Sequence, residues 1–246
     1  MPHSLFISDL HLCARRPRLT TRFLHFLEHD ARHADALYIL GDLFEYWAGD
    51  DDLDDAYNRD IVSALRRLSE SDVRLYLMHG NRDFLMGERF AAACGGTWLT
   101  DPTLVDLHGT PTLLSHGDAL CTADAEYQAF RLQVRNPAWQ RDFLAQPLAE
   151  RKRLIEALRE RSEEQKQVKS YDIMDVTTQA VEQLLRAHGC PRLIHGHTHR
   201  PNHHRHMVDG HACERWVLPN WEEMQAENFH GGYLRCDPHG CARHRV

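Results

Sequence analysis

The sequence predicts an α/β fold: a two-sheet β-sandwich flanked by helices and carrying a helical insertion. Three observations lead there. Short apolar runs alternate with helix-patterned segments as far as Cys94, which is the rhythm of strands laid parallel and linked by helices. After Gly95-Gly96 the rhythm changes to short β segments separated by Asp101-Pro102 and His108-Gly109 turns, which suits a partly antiparallel sheet. Between residues 122 and 187, about 65 residues of helical pattern then separate two strands, far more than a connection needs.

Leu5–Ser8 reads as a central strand. Leu19–His33 spaces Leu19, Phe23, Leu24, Phe26 and Leu27 at helical intervals, with Thr20 or Thr21 as caps. Ala36–Leu40 is the next strand. The acidic run Asp50–Asp55 lacks the glycine and distal glutamate of an EF-hand loop, so it reads as a solvated loop entering a helix N-terminus. A helix over Asp54–Leu68 gathers Ile61, Leu65 and Leu68 on one face, followed by a strand at Val73–Leu77 and a helix at Phe84–Cys94. Thr97–Leu99, Thr103–Leu107 and Thr112–Leu114 form a meander that opens the second sheet. Within the long helical stretch, one helix at 172–188 with Ile173, Val176, Val181, Leu184 and Leu185 suffices as a crossover. The excess is the insertion, so the expected organisation is a core of 1–121 and 171–246 with an insertion at 122–170. In it Tyr127, Phe130, Arg131 and Val134 share a helical face, and Trp139, Phe143 and Leu144 follow Pro137. These aromatics either pack the insertion against itself or line a ligand surface. Arg192–Ile194, Asn202–Asp209, Trp216–Leu218 and Phe229–Cys236 are the strands expected to close the second sheet.

Composition narrows the function classes. A chain of 246 residues buries a full core. Its net charge of −7 argues against a general nucleic-acid binder, which needs a basic surface to release counterions from phosphates. The seven cysteines are odd in number, scattered and never in a Cys-x-x-Cys pair, so reduced thiols are expected. No secretory signal and no spanning run is read, so any membrane contact is expected to be peripheral.

Chemistry concentrates in five polar clusters, each following a strand-like run: Ser8-Asp9-Leu10-His11, Gly41-Asp42, Met78-His79-Gly80-Asn81-Arg82-Asp83, Ser115-His116-Gly117-Asp118 and His195-Gly196-His197-Thr198-His199. Strand ends are a common place for catalytic groups in α/β proteins. Asp9, His11, Asp42, Asn81, His116, His197 and His199 together offer carboxylate, imidazole and amide-oxygen donors without thiolate. Such a set suits Mn²⁺, Fe²⁺ or Zn²⁺ better than Ca²⁺. Seven donors exceed what one catalytic ion with open positions takes, so a dinuclear centre bridged by Asp42 is expected. The neutral Asn81, standing where another carboxylate would fit, leaves that centre net positive toward a phosphate.

These five blocks, in this order, resemble the calcineurin-like metallophosphoesterases over most of the chain outside the insertion. The resemblance implies that Asp9, His11, Asp42 and His199 hold one metal while Asp42, Asn81, His116 and His197 hold the other. Many of these enzymes follow Gly-Asn with a histidine able to protonate an alkoxide; here the residue is Arg82, which keeps its proton at neutral pH. A phosphate leaving group needs no proton, its second pKa being about 6, but gains from a fixed cation. Cleavage of a pyrophosphate is therefore expected. Asn81-Arg82-Asp83-Phe84, Gly41-Asp42-Leu43-Phe44-Glu45-Tyr46-Trp47, Ile173-Met174-Asp175-Val176 and the insertion narrow the resemblance to the UDP-2,3-diacylglucosamine hydrolase family of the lipid A pathway.

That resemblance implies Mn²⁺ as the metal and attack of activated water on the α-phosphorus, giving UMP and 2,3-diacylglucosamine 1-phosphate. It also implies a peripheral place on the cytoplasmic face of the inner membrane. Asp42, Asn81 and Arg82 are the implied catalytic residues. Substrate contacts are implied for Asn81, Arg82 and His197 from the core and for Asp124, Ser162, Lys166 and Lys169 from the insertion, a lid for the acyl chains. The alternative expectation keeps the site and changes the substrate to a soluble nucleotide. No nucleic-acid or protein partner is expected.

Overall fold

The computed structural model describes residues 1–168, 173–224 and 229–246, with the side chains of 160–168 excepted. Four parallel strands, β1 (Ser4–Ile7), β2 (Ala36–Leu40), β3 (Arg74–Met78) and β4 (Gly96–Trp98), lie side by side in that order. Helices α1 (Pro17–His29), α2 (Ala56–Ser69) and α3 (Glu88–Cys94) connect them. The second sheet runs β5 (Thr103–Leu107), β6 (Thr110–Ser115), β7 (Arg192–His195), β9 (His211–Val217), β8 (Asn202–Val208). Between β6 and β7 come α4 (Ala125–Val134), α5 (Pro137–Leu144), α6 (Leu148–Val168) and α7 (Thr178–His188). A two-residue ribbon, β10 (Glu222–Glu223) with β11 (Phe229–His230), precedes the hairpin β12 (Gly232–Asp237) and β13 (Gly240–Arg245).

Alternation of side chains along each strand builds the layers. Leu5, Ile7, Leu37, Ile39, Leu75 and Leu77 face Phe23, Phe26, Ile61, Leu65 and Phe90 of the outer helices. Their neighbours Phe6, Tyr38, Leu40 and Met78 point the other way, into a core shared with Leu114 and Ile194 of the second sheet. There Phe6, Tyr38 and Tyr76 stack in a ladder with centroids 4.7 Å apart at each step. The far face of the second sheet buries Leu113, Leu193 and Val208 against Val181 and Leu185 of α7. The result is helices, sheet, sheet, helix: the sandwich that the sequence predicts. No described helix is long and apolar enough to cross a membrane.

Several local expectations are corrected. Helix α1 begins two residues early because Pro17 opens it; Thr20 and Thr21 hydrogen-bond back to the carbonyls of Arg16 and Pro17 instead of capping. Helix α3 begins at Glu88, not Phe84, and α7 begins at Thr178, capped by Thr177. The segment at Thr97–Leu99 joins the first sheet as β4, parallel to β3. Phe229–Cys236 does not close the second sheet either: β12 pairs antiparallel with β1. Asp50, Asp51 and Asp52 are not a solvated run. Asp50 accepts hydrogen bonds from Trp47 Nε1, Gly87 N and Phe90 N, while Asp51 and Asp52 pair with Arg151 and Lys152 of α6. Asp55 is the cap of α2. Finally, Cys236 and Cys241 face each other across the β12–β13 hairpin and form a disulfide, against the expectation of reduced thiols throughout; the other five cysteines are free.

Candidate metal centre

All five polar clusters meet at one end of the sandwich. Asp9 and His11 follow β1, Asp42 follows β2 and Asn81 follows β3, while His116 follows β6 and His197 and His199 follow β7. His11 Nε2 and His116 Nε2 each lie 3.9 Å from Asp42 Oδ2, which places Asp42 between two groups of donors. On one side His11 Nε2 is 3.3 Å from His199 Nε2, and His199 Nε2 is 3.5 Å from Asp9 Oδ1. On the other, Asn81 Oδ1 lies 3.1 Å from His116 Nε2 and 2.8 Å from His197 Nδ1. The structure thus brings together all seven predicted donors.

The chain accepts unusual backbone geometry to do this. Among the described non-glycine residues with positive φ are Asp9 (55°), His11 (52°), Asp42 (53°), His197 (68°) and His199 (54°). Such conformations are disfavoured for residues with a Cβ and collect at functional sites. Neighbouring backbone holds them: Leu10 N and His11 N both donate to Asp42 O at 2.9 and 3.0 Å. Gly80 packs so tightly on Asp42 that a Cβ there would collide with Asp42 Oδ1 and its backbone N.

The donor set fits a divalent cation. Asp9 Oδ2 is spoken for by Ser8 Oγ at 2.6 Å and His197 N at 2.8 Å, yet Asp9 Oδ1 is buried without a hydrogen-bond partner. A buried carboxylate oxygen left this way suits a cation. His116 Nδ1 donates to Leu40 O at 2.9 Å, which turns Nε2, as the basic nitrogen, toward Asp42 and Asn81. Electrostatics point the same way. Burial lowers the pKa of His116, but Asp42, Asp9 and Asp118 outweigh it and raise it to about 9. Burial, reinforced by Asp83 and Asp9, raises Asp42 despite His116. Burial also raises Asp9, yet the nearby His199, His116 and His11 leave it well below the usual range. His197 falls to about 3 through burial and the nearby His116. Two buried carboxylates packed this closely among four imidazoles and an amide oxygen need added positive charge, which a divalent ion supplies.

Other predicted residues take varied places. Arg82 N donates to Asp42 Oδ1 at 2.8 Å, and its charge opposes the rise of Asp42. Asp124 caps α4, accepting from Tyr127 N at 3.0 Å. Ser162 and Lys166 lie on the part of α6 whose side chains are outside the described ones, and Lys169 lies outside the described residues.

Sequence reasoning passed over the residues that hold the ligands. Asp83 is fully buried and accepts from Gly80 N at 2.8 Å and Leu43 N at 2.7 Å, lacing the Asn81 loop to the Asp42 loop. Asp118 is fully buried two residues after His116; it accepts from Tyr127 Oη at 2.9 Å and Arg131 Nε at 2.8 Å, fastening α4 to the centre. The Tyr127 ring lies 5.8 Å from that of His197, tilted by 28°. Asp175 Oδ2 accepts from Arg200 Nη1 at 2.6 Å, next to His199. The available signal was position: Asp83 and Asp118 each lie two residues beyond a ligand.

Comparison with known proteins agrees with this geometry. The family model described as calcineurin-like phosphoesterase matches residues 3–201. A UDP-2,3-diacylglucosamine hydrolase of Aromatoleum aromaticum is 56% identical over 237 residues, 96% of this chain and 94% of that protein. Those of Chromohalobacter salexigens and Pseudomonas paraeruginosa are 52% and 51% identical, each over 89% of this chain and over 88% and 91% of their own lengths. A metal-dependent hydrolase, the chain belongs to the calcineurin-like phosphoesterases and, within them, to the UDP-2,3-diacylglucosamine hydrolase family.

Proposed function

We propose that this chain hydrolyses the pyrophosphate bond of UDP-2,3-diacylglucosamine with two Mn²⁺ ions, water attacking the α-phosphorus to give UMP and 2,3-diacylglucosamine 1-phosphate. The reading rests on the convergence of seven donors around Asp42, whose Oδ2 lies 3.9 Å from both His11 Nε2 and His116 Nε2. Asp9, His11, Asp42 and His199 hold one ion, and Asp42, Asn81, His116 and His197 the other. Ions bound there polarise the phosphate and the attacking water and neutralise charge. Arg82, whose backbone is fixed to Asp42, keeps its proton and stabilises the charge that gathers on the leaving phosphate. Asn81 and His197 meet the substrate from the same side.

Residues 122–170 act as a lid on the core of 1–121 and 171–246. Three helices, α4 to α6, fill its described part. The rings of Phe84, Trp139 and Phe143 form a row with centroid spacings of 6.3 and 4.9 Å; Phe143 is buried in the core, which leaves the half-buried Phe84 and Trp139 to meet acyl chains. Exposed Phe130, Leu132, Leu144 and Leu158 on these helices support peripheral contact with the inner membrane at its cytoplasmic face. Asp124, Ser162, Lys166 and Lys169 contact the head group from the lid.

The test is UMP release from UDP-2,3-diacylglucosamine by metal-stripped protein, with and without Mn²⁺, beside a short soluble UDP-sugar. Release that depends on Mn²⁺ and is confined to the lipid substrate is expected. Equal turnover of the soluble control would keep the metal chemistry and remove the lipid assignment.

A further inference from the structure

Behind the turn that carries His197 and His199 stand two residues that the reading above does not use, His195 and Arg215. His195 ends β7 and is fully buried. Arg215 lies on the neighbouring strand β9, in register with Leu193, and is only 7% exposed. Its guanidinium reaches along the sheet to the strand end: Nη1 lies 3.1 Å from His195 Nε2, and Nε donates to His206 Nε2 at 3.4 Å. Among the described residues these two imidazoles are its hydrogen-bond partners, and no carboxylate pairs with it. Asp175, whose charge reaches it, is itself bonded to Arg200 Nη1 at 2.6 Å. A guanidinium buried in this way costs stability. The fold alone does not account for it.

We infer that Arg215 and His195 are positioning residues for the metal centre. Arg215 fixes the tautomer of His195, and His195 Nδ1–H then holds the Gly196 carbonyl that closes the turn bearing His197 and His199. The inference rests on the metal-centre reading and adds what keeps two of its ligands in place.

Arginine donates and never accepts. His195 Nε2 therefore offers it a lone pair, which leaves the proton of the neutral ring on Nδ1. That nitrogen lies 2.9 Å from Gly196 O, where a bare Nδ1 would set lone pair against lone pair. The same carbonyl accepts from Thr198 N at 2.8 Å. A bond that closes over two residues, with His197 between them at a φ of 68°, is the strained hand of a three-residue turn. His195 is thus a second donor on the oxygen that closes a strained turn. The turn is tied to other ligands as well, because Gly196 N donates to His116 O at 2.9 Å and His197 N to Asp9 Oδ2 at 2.8 Å. Space around it is tight: a Cβ on Gly117 would come within 2.8 Å of His195 Nδ1, and one on Gly196 would collide with Ser8 Oγ and Asp9 Oδ2. His197 and His199 belong to different groups of donors, so a turn that drifts loosens both groups at once.

The experiment titrates Mn²⁺ into the metal-stripped full chain and follows thermal unfolding of the same metal-stripped protein. Arg215→Met keeps much of the length, removes every donor and frees His195 to take either tautomer. It is expected to weaken Mn²⁺ binding about tenfold or more, the scale of a partner lost from behind a metal ligand. Its metal-stripped form is expected to unfold within about 5 °C of the wild type, because a buried charge leaves with the guanidinium. The second background is His195→Asn, whose amide NH₂ stands where Nδ1–H stood and donates without help from a partner. Adding Arg215→Met to His195→Asn is expected to cost no further Mn²⁺ affinity, since no tautomer is left to select. An equal loss in the two backgrounds, wild-type affinity in Arg215→Met, or an Arg215→Met chain that fails to fold or unfolds earlier than that limit would each overturn the positioning role alone. A wild type that takes up no Mn²⁺ overturns the metal-centre reading and the positioning role with it.

Discussion

Arg82 and Asp42 touch each other and do different work, which makes them separable by substitution. Asp42 Oδ2 lies 3.9 Å from donors on both sides of the centre, whereas Arg82 contributes a backbone N–H to Asp42 Oδ1 that survives a change of side chain. Arg82→Ala is therefore expected to keep its Mn²⁺ and lose activity by about 100-fold or more, the scale of one lost transition-state contact. Asp42→Ala is expected to lose both metal and activity. Metal analysis beside kcat decides, and equal metal loss in the two variants would remove the role given to Arg82. Asp83 makes a different demand. Its carboxylate sits fully buried among backbone N–H groups of Gly80 and Leu43. Asp83→Asn turns an amide NH₂ toward a donor and surrenders a charge-assisted bond, for an expected loss of about 2–4 kcal/mol. Urea denaturation measures it, and a midpoint like that of the wild type would mean the two loops are held by other contacts.

Helix α4 shows how an element carries function and stability through one residue. Asp124 caps it through Tyr127 N, and Tyr127 in turn covers His197. Asparagine caps a helix about as well as aspartate, while alanine loses about 1 kcal/mol. Asp124→Asn is thus expected to match the wild type in thermal unfolding but, if the proposed contact of its carboxylate with the head group is made, to raise KM for the lipid substrate. An Asn variant with unchanged KM would leave Asp124 as a cap alone. Elements were legible in the sequence wherever their cause was local. The alternation of Leu5, Phe6 and Ile7, the face of Ile61, Leu65 and Leu68, and all seven donors could be read from neighbours in the chain. What could not be read has causes distant in sequence. The N-terminus of α3 is satisfied by Asp50, whose Oδ2 accepts from Phe90 N, so the start of that helix depends on a loop far upstream. Strand character at Thr97–Leu99 and Phe229–Cys236 was evident, but periodicity does not say which sheet a strand joins: β4 and β12 joined the first, and Phe229–His230 the small ribbon with β10. Asp118 was visible beside His116, while its partners Tyr127 and Arg131 lay on an insertion whose docking no spacing reveals.

At the scale of the molecule, two effects set when the sandwich comes apart. Tyr38, Tyr57 and Tyr233 are all pushed up to about 12 from 10.0, in each case first by burial; Tyr76 adds to the rise at Tyr38 and Asp30 to that at Tyr233. The folded chain holds these protons more tightly than the unfolded one, so their contribution is complete below pH 10 and is lost as pH rises through 12. Stability measured by urea midpoint should stay level on the approach to pH 10 and then decline; a level course to pH 12 would contradict the burial of these phenols. The second effect is the metal. Asp9, His11, Asp42 and Asn81 come from the first sheet, whereas His116, His197 and His199 come from the second. A bound ion therefore fastens the two sheets at one end, beyond the reach of the core around Phe6, Tyr38 and Ile194. Binding to the folded state alone adds about 2.7 kcal/mol at a free metal concentration 100 times Kd. For a chain of this size that amounts to a rise in Tm of about 5–10 °C. Removing metal with a chelator should lower Tm by that amount and adding Mn²⁺ should restore it. His116→Ala, which takes a second-sheet ligand from one of the two ions, should weaken the response, whereas Asp42→Ala, which takes a ligand from both, should abolish it. If His116→Ala instead kept the full Mn²⁺-dependent rise, the group of donors around His116 would add nothing to the fastening, which would then rest on the group of Asp9, His11, Asp42 and His199.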